Sequence, residues 1–328
     1  MILRKALGRP RAETGTKSLE AIFREIFLSG GEVPTGLDAA ERLSPVAAAH
    51  RILTNSFGII PFGAYVKGAD GGREPAEDPR LDQLLRRRPN SLMTPFITQK
   101  LVMSNAFWYG FGAVWNRRDG DGRVLERIPL PTDCCSISLD QEEGVYWYTY
   151  TVGGLTRTFS PAELSILFFE SFNGIWGRGM LDMARDVIAE DSLAQQYERK
   201  FYQNGARLSG IVKVDTDASR ETRDKIRQAF ARYAGEDQFK VAVLDHGMDY
   251  TPLGVSQVDA QYLESRGFTV EEVSRFTGIP KHMLQTGKES YDSNQQQRVN
   301  YVTDTVVPFV TQWEQEDGRK LLNRFQRA

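Results

Sequence analysis

Residues 259–266 read Asp259-Ala260-Gln261-Tyr262-Leu263-Glu264-Ser265-Arg266. They lead to Gly278-Ile279-Pro280-Lys281-His282-Met283-Leu284 and then to Phe325. The expectation is a helix over 259–276 that stops at Gly278-Ile279-Pro280. Residues 288–297 read as a polar loop or a helix start. Residues 297–325 read as mostly helical, with a kink near Pro308, because proline has no N–H to give inside a helix.

Working outward, this returning helix has a partner upstream. Leu181, Ala184, Ile188, Leu193, Tyr197 and Phe201 keep spacings that predict a long helix over 180–203, stopped at Asn204-Gly205. Some 25 helical residues would reach roughly 35–40 Å. Between the two helices lies a compact insert. It reads as a strand at 211–214, an amphipathic helix at 219–233 with Ile226, Phe230 and Tyr233 on one face, and a strand at 241–244. A turn at Asp245-His246-Gly247 and a strand at 248–253 complete a β-α-β-β unit.

Ahead of the long helix the pattern is mixed. Residues 1–43 read as loosely ordered. Ser44-Pro45 reads as an N-cap with proline at the first helical position, opening a helix that stops at Gly58. A strand at 62–66, a Gly/Pro/Asp loop at 67–79 and a short helix around Leu81, Leu84 and Leu85 follow. A second helix is expected over 94–108. The period then shortens to strand-like runs at 113–116, 123–128, 136–139, 145–152 and 164–169, separated by turn residues such as Asp119-Gly120-Asp121-Gly122. The fold class is α+β.

The chain has 328 residues, with 41 Lys+Arg against 43 Asp+Glu, a net charge of −2. A tight non-specific DNA binder carries a basic excess or a basic face, and the whole chain shows no such excess. No apolar run approaches the ~20 residues of a membrane span. The basic stretch 1–17 lacks the apolar core of a signal peptide. The only cysteines, Cys134 and Cys135, are adjacent. They cannot staple a fold, and they read as reduced, mostly buried small side chains of a cytosolic protein.

The sequence offers little catalytic chemistry. It contains neither a G-x-x-x-x-G-K-[ST] phosphate loop nor a G-x-S-x-G elbow. His50 reads as a packed helix residue, His246 as a turn residue and His282 as a contact residue. Asp119/Asp121 and Asp215/Asp217 have the spacing of a metal-binding carboxylate pair. Turn chemistry explains the first, and a helix N-terminus explains the second. Arg86-Arg87-Arg88 reads as a solvated helix end or a phosphate contact. Lys288 with Gln295-Gln296-Gln297-Arg298 could touch sugar and phosphate without strong attraction, or form a plain polar helix surface.

The run 259–266 resembles the "DxQxLExR" element of the tailed-bacteriophage portal proteins. It is followed, as in that family, by 278–284, by Tyr291-Asp292-Ser293-Asn294 and by a closing segment over 305–308 and 313–322. Pro89-Asn90, Trp108-Tyr109-Gly110-Phe111-Gly112-Ala113, Gly177-Arg178-Gly179-Met180-Leu181, the FYQNGA run at 201–206 and Val243-Leu244-Asp245-His246-Gly247 are similar to further family motifs, in order, over roughly residues 40–325. This sequence departs from two of them, with Phe111-Gly112 in place of an asparagine and Gly-Met-Leu in place of Ser-Pro-Leu.

The resemblance implies a portal-type subunit: a flexible segment 1–43, a mixed α/β wing over 44–176 and a stem helix at 177–207. A small β-α-β-β clip at 208–256, a return stem helix at 257–280 and a tunnel loop region at 281–299 would follow. The closing wing helix, 300–328, would carry a short or absent crown. It also implies a non-enzymatic protein without cofactor or metal, forming a ring of about twelve copies at one capsid vertex. Double-stranded DNA would pass through it. Lys288, Gln295, Gln296, Gln297 and Arg298 would face the DNA. Arg223, Arg227, Asp245 and His246 of the clip would meet the terminase packaging motor and later the head–tail adaptor. The major capsid protein would be a further partner, membranes would not, and assembly would take place in the host bacterial cytoplasm before incorporation into the virion. The alternatives are another head–tail connector or minor capsid protein, and a DNA-processing enzyme using one Asp pair.

Overall fold

The computed structural model describes residues 35–68, 70–76, 78–142, 144–189, 210–214, 248–252, 270–284 and 291–322. The chain divides into one unit of Met1–Arg185 with Glu272–Ala328 and a second of Asp186–Glu271.

The first unit starts with two helices, α1 (Thr35–Arg42) and α2 (Ser44–Gly58), jointed at the buried, extended Leu43. The expected N-cap at Ser44 is therefore displaced. Leu43 takes that position without a side-chain cap, because α1 runs right up to it. The stretch 35–42 is helical rather than loosely ordered. Strands β1 (Tyr65–Lys67) and β2 (Arg73–Pro75) pair antiparallel. The first starts later than expected because Phe62 is buried against Phe57, ring centroids 5.6 Å apart. Helix α3 (Pro79–Asp82), capped by the Asp78 carboxylate, runs on as a π-turn over Gln83–Arg87.

Helix α4 (Pro95–Tyr109) lies antiparallel to α2. His50 bonds Ser104 at 2.8 Å, and the Lys100 ammonium donates to Asn55 at 2.8 Å, five residues further along α2 and one turn back along α4. Val102, Met103, Ala106 and Phe107 fill the seam. Next come β3 (Phe111–Arg118), β4 (Val124–Leu130), β5 (Cys135–Asp140), β6 (Val145–Val152), β7 (Leu155–Phe159) and β8 (Leu164–Phe168). They form two antiparallel sheets of order β4-β3-β8 and β5-β6-β7. The alternate residues Phe111, Ala113 and Trp115 join Ile128, Leu130, Tyr148, Tyr150, Phe159, Leu164 and Ile166 in one core shared by both sheets. The expected antiparallel body is present: each of the five strands expected between 113 and 169 lies within two residues of its place, and β7 is an additional strand. Cys134 and Cys135 are free thiols, half-buried rather than mostly buried.

Helix α5 (Met180–Met183) opens where this body ends. An irregular turn at Ala184 interrupts the helix before it resumes over 185–189, so the start of the expected 180–203 helix is not continuous. Its remainder lies outside the described residues. In the second unit β9 (Gly210–Val214) and β10 (Met248–Pro252) pair antiparallel, with Val212 opposite Tyr250. The expected helix 219–233 and strand 241–244 lie outside the described residues, as does most of the expected return helix, of which 270–277 are helical.

The last elements are α6 (Lys281–Leu284), α7 (Tyr291–Asn300), a π-helical stretch Tyr301–Val306 and α8 (Val307–Leu321). The distortion expected at Pro308 falls just before it. Proline cannot donate an N–H to the carbonyl one turn back, and widening the preceding turn absorbs the mismatch.

Two close approaches fix the body. The Gly110 carbonyl accepts the Phe169 N–H at 2.8 Å, and the Glu170 carbonyl accepts the Arg178 N–H at 2.7 Å. These bonds draw the end of α4 onto Gly177. A Cβ at Gly110 would overlap the Gly177 carbonyl, and one at Gly177 would overlap the Gly110 carbonyl. Gly110 also needs φ +98°, which side chains disfavour. Gly110→Ala is expected to cost roughly 2–5 kcal/mol, from left-handed strain plus overpacking. Gly120→Ala, with open space around it, should stay within about 0.5 kcal/mol. Denaturant midpoints of the two variants check this.

His50 is packed against Phe107 and Trp108, as a helix-core histidine. Burial, aided by Lys100, lowers its pKa from 6.5 to about 4. The unfolded chain therefore takes up a proton below pH 6.5 that the folded chain refuses until about pH 4. This group's contribution to stability is whole above pH 6.5 and falls as pH drops through that window, by about 3 kcal/mol. His50→Gln should remove that part of the acid slope in pH-dependent unfolding curves.

Candidate functional site

The residues expected to contact DNA fall on α7. Gln295, Gln296, Gln297 and Arg298 stand on this helix and not in a loop, because helix starts at Tyr291. The Gln296 amide donates to Asn300 one turn on, at 3.0 Å, Gln297 is half-buried, and Arg298 is exposed. Val299 and Val302 are exposed beside them. Lys288, Arg223, Arg227, Asp245 and His246 lie outside the described residues, as do Asp215 and Asp217. The structure thus brings together the four residues on α7 and leaves the other expected contacts undescribed.

The continuation of α7, through the π-helical stretch and α8, is fastened to the rest of the first unit by polar groups. The Tyr301 hydroxyl meets Ser56 at 3.1 Å, and the Thr305 hydroxyl donates to the Gly278 carbonyl at 2.8 Å. The Gln312 side-chain oxygen accepts the N–H of Phe168 at 2.7 Å, at the end of β8 where Phe168 stands opposite Phe111 of β3. Lys320 donates to the Pro161 carbonyl, and Arg118 donates to the Lys320 carbonyl at 2.6 Å.

At the centre Arg127 of β4 pairs with Asp317 of α8 at 2.5 Å, both buried, and the guanidinium lies 5.3 Å from the Trp313 ring. Burial pushes the Asp317 carboxyl up, and Arg127 opposes that push. Removing one member of such a pair leaves an uncompensated buried charge. Asp317→Ala should therefore cost about 3–5 kcal/mol, and Arg127→Met with Asp317→Leu clearly less, read from denaturant unfolding of the two variants.

The sequence reading did not single out Arg127. Its signal was a long cation inside an otherwise strand-like run ending in Ile128-Pro129-Leu130. Asn90 shows what its motif does. Its amide donates to the Arg127 carbonyl at 2.9 Å while its oxygen accepts the N–H groups of Leu92 and Met93. It therefore locks the loop ahead of α4 onto the strand that carries Arg127.

The other candidates have local explanations. Asp119 accepts the N–H groups of Asp121 and Arg123, and Asp121 pairs with Arg123, so this Asp pair shapes a hairpin turn. Among the described residues no group of three or more His, Cys, Asp or Glu could hold a metal ion. Arg86 donates to the Tyr65 hydroxyl, Arg87 pairs with Asp82, and Arg88 bonds the Ser91 carbonyl, as at a solvated helix end. His282 is half-buried on α6, and both its ring nitrogens are shielded without a partner. No helix among the described residues is long and apolar enough to cross a membrane.

The positions of Gly110, Gly177, Gly278, Thr305 and Asp317 follow the order of the motifs noted in the sequence, and a family model described as "Phage portal protein" matches residues 44–328. The chain belongs to the phage portal protein family. It is 26% identical over 247 residues to the portal protein of Enterobacteria phage HK97, covering 74% of this chain and 58% of that protein. It is 25% identical over 277 residues to the probable portal protein of Streptomyces phage phiC31, covering 80% and 59%. The chain thus spans about three fifths of the length of these relatives.

An HK97-family phage portal protein from Corynebacterium diphtheriae shares the fold at a TM-score of 0.63 and 16% identity, over 87% of this chain and 89% of that one. A chain from the neck of a native gene transfer agent particle, computed with twelvefold symmetry, does so at 0.60 and 18%, over 90% and 84%. The portal fold expected from the motifs is therefore the fold of this chain.

Proposed function

We propose that this chain is the portal subunit of a tailed phage, prophage or related particle. In that role it forms a ring of about twelve copies through which double-stranded DNA enters and leaves. The observation that carries this reading is the family match over residues 44–328, joined to a fold shared with a twelvefold neck. The role is structural: the first unit serves as the wing, while the second holds stem and clip, where a packaging motor and a tail adaptor dock. The capsid protein surrounds the ring in the virion, after assembly in the host cytoplasm.

The charge suits a conduit. Affinity for duplex DNA grows with the number of phosphates neutralised, and a wall that held DNA tightly would stop it. The α7 turns present amides and one exposed arginine per subunit, which gives weak contacts blind to sequence.

Native mass measurement of the purified full chain tests the reading. The expected species is a closed ring of about twelve copies of the 37.1 kDa chain. A monomer at every concentration and salt would contradict it.

A further inference from the structure

A closed ring is a heterologous assembly: each subunit offers two unlike surfaces, and one must fit the other on its neighbour. The first unit carries two exposed apolar surfaces at opposite ends of α4.

The first surface lies at the C-terminal end. The loop 171–176 presents Phe172, 79% exposed, and Trp176, 58% exposed. Such exposure comes from a built loop. Asn173 accepts the N–H groups of Ile175 and Trp176. The Ser171 hydroxyl donates to the Trp176 carbonyl at 2.6 Å and accepts the Gly174 N–H. The Tyr148 hydroxyl donates to the Ile175 carbonyl at 2.6 Å. Two large aromatics held ready in this way lose little freedom on docking, which is how interface anchors behave. Beside Trp176 runs a groove of about 430 Å³ lined by Tyr109, Phe111, Ile137 and Cys135, with Asp133 among them.

The second surface lies at the N-terminal end. Ile59, 75% exposed, follows the last turn of α2, and Phe96 packs against Gly58 beside it. Ile97 and Leu92 are also exposed there. Because α2 and α4 are antiparallel, this patch sits about 20 Å from the groove, one α4 length away.

The charges match as well. The Lys100 ammonium lies 5.9 Å from the Phe96 ring, and the positive end of α4 is at this patch. The groove holds Asp133 and the negative end of α4. Burial, with smaller contributions from Asp133, Cys134 and Glu41, raises the Tyr109 hydroxyl to about 12. An aromatic side chain buries on the order of 150–250 Å², so each surface has the few-hundred-Å² scale that marks an interaction site.

We infer that the Phe172–Trp176 groove of one subunit receives the Ile59, Leu92, Phe96 and Ile97 patch of the next, making this the head-to-tail contact that closes the ring. The inference rests on the portal reading and names the partner surface as a second copy of this chain.

Cysteine cross-linking tests it, in a Cys134→Ser, Cys135→Ser background of the full chain. With Ile59→Cys and Phe172→Cys in one chain, a short bis-maleimide should give a ladder that climbs past dimer to the full ring. An equal mixture of the two single variants should stop largely at dimers, because each chain then has only one reactive surface. Trp176→Ser with Phe172→Ser should weaken the ring at least tenfold in concentration while leaving the unfolding midpoint of the subunit unchanged, since both side chains are mostly in solvent. An intact ring with no ladder, and with undiminished assembly of the aromatic double variant, would overturn this contact and leave the portal reading standing. Absence of any ring from the unmodified chain would overturn the portal reading itself.

Discussion

The backbone contact between Gly110 and Gly177 is the constraint on which the rest of the first unit depends. Helix α4 ends there, β3 begins there, and the segment that leads into α5 passes directly over it. No side chain fits between the two backbones, so the paths of three elements are fixed to within an atom's width. Hydrogen bonds on either side hold the approach, and Met180, fully buried at the start of α5, closes the space behind it. The rigid loop 171–176 is the stretch just ahead of Gly177, so the joint also sets where Phe172 and Trp176 stand.

The second organising element is the long helix from Tyr291 to Leu321. Its two halves have different chemistry because they have different partners. From Tyr301 onward nearly every turn is tied to the body, through Ser56, Gly278, Phe168, Arg127 and Pro161. The turns before it carry amides, an arginine and the exposed Val299. The π-helical stretch marks the change from one regime to the other. Hydrophobic burial alone would hold α8 in place with some freedom to slide. The buried Arg127–Asp317 pair does not permit sliding, because one turn of displacement strands both charges.

Much of this was legible in the sequence. Strand positions followed from short apolar runs between turn residues: β3, β4, β5, β6 and β8 lie within two residues of expectation, while β7, Leu155–Phe159, was not expected. The motif order points to the portal fold. The departures have identifiable causes. Ser44-Pro45 carries a strong start signal, yet the helix ahead of it runs to Arg42 and moves the cap to Leu43. Phe62 looked like strand but is claimed by the α2 core. Pro308 signalled a kink, while its position relative to the widened turn depends on which carbonyl loses its donor. Arg127–Asp317 joins residues 190 apart, and no local pattern reveals a pairing at that distance. The motifs holding Gly110 and Gly177 were visible separately, and only their meeting explains why each has glycine.

A reconstruction of the assembled particle by electron cryomicroscopy tests the central claim most directly. The account predicts a ring with a central channel wide enough for a DNA duplex, with the α7 side chains of Gln296 and Arg298 on its wall and the Arg127–Asp317 pair behind them in the body. A ring whose channel is lined by other elements, with α7 turned to the outer surface, would contradict it.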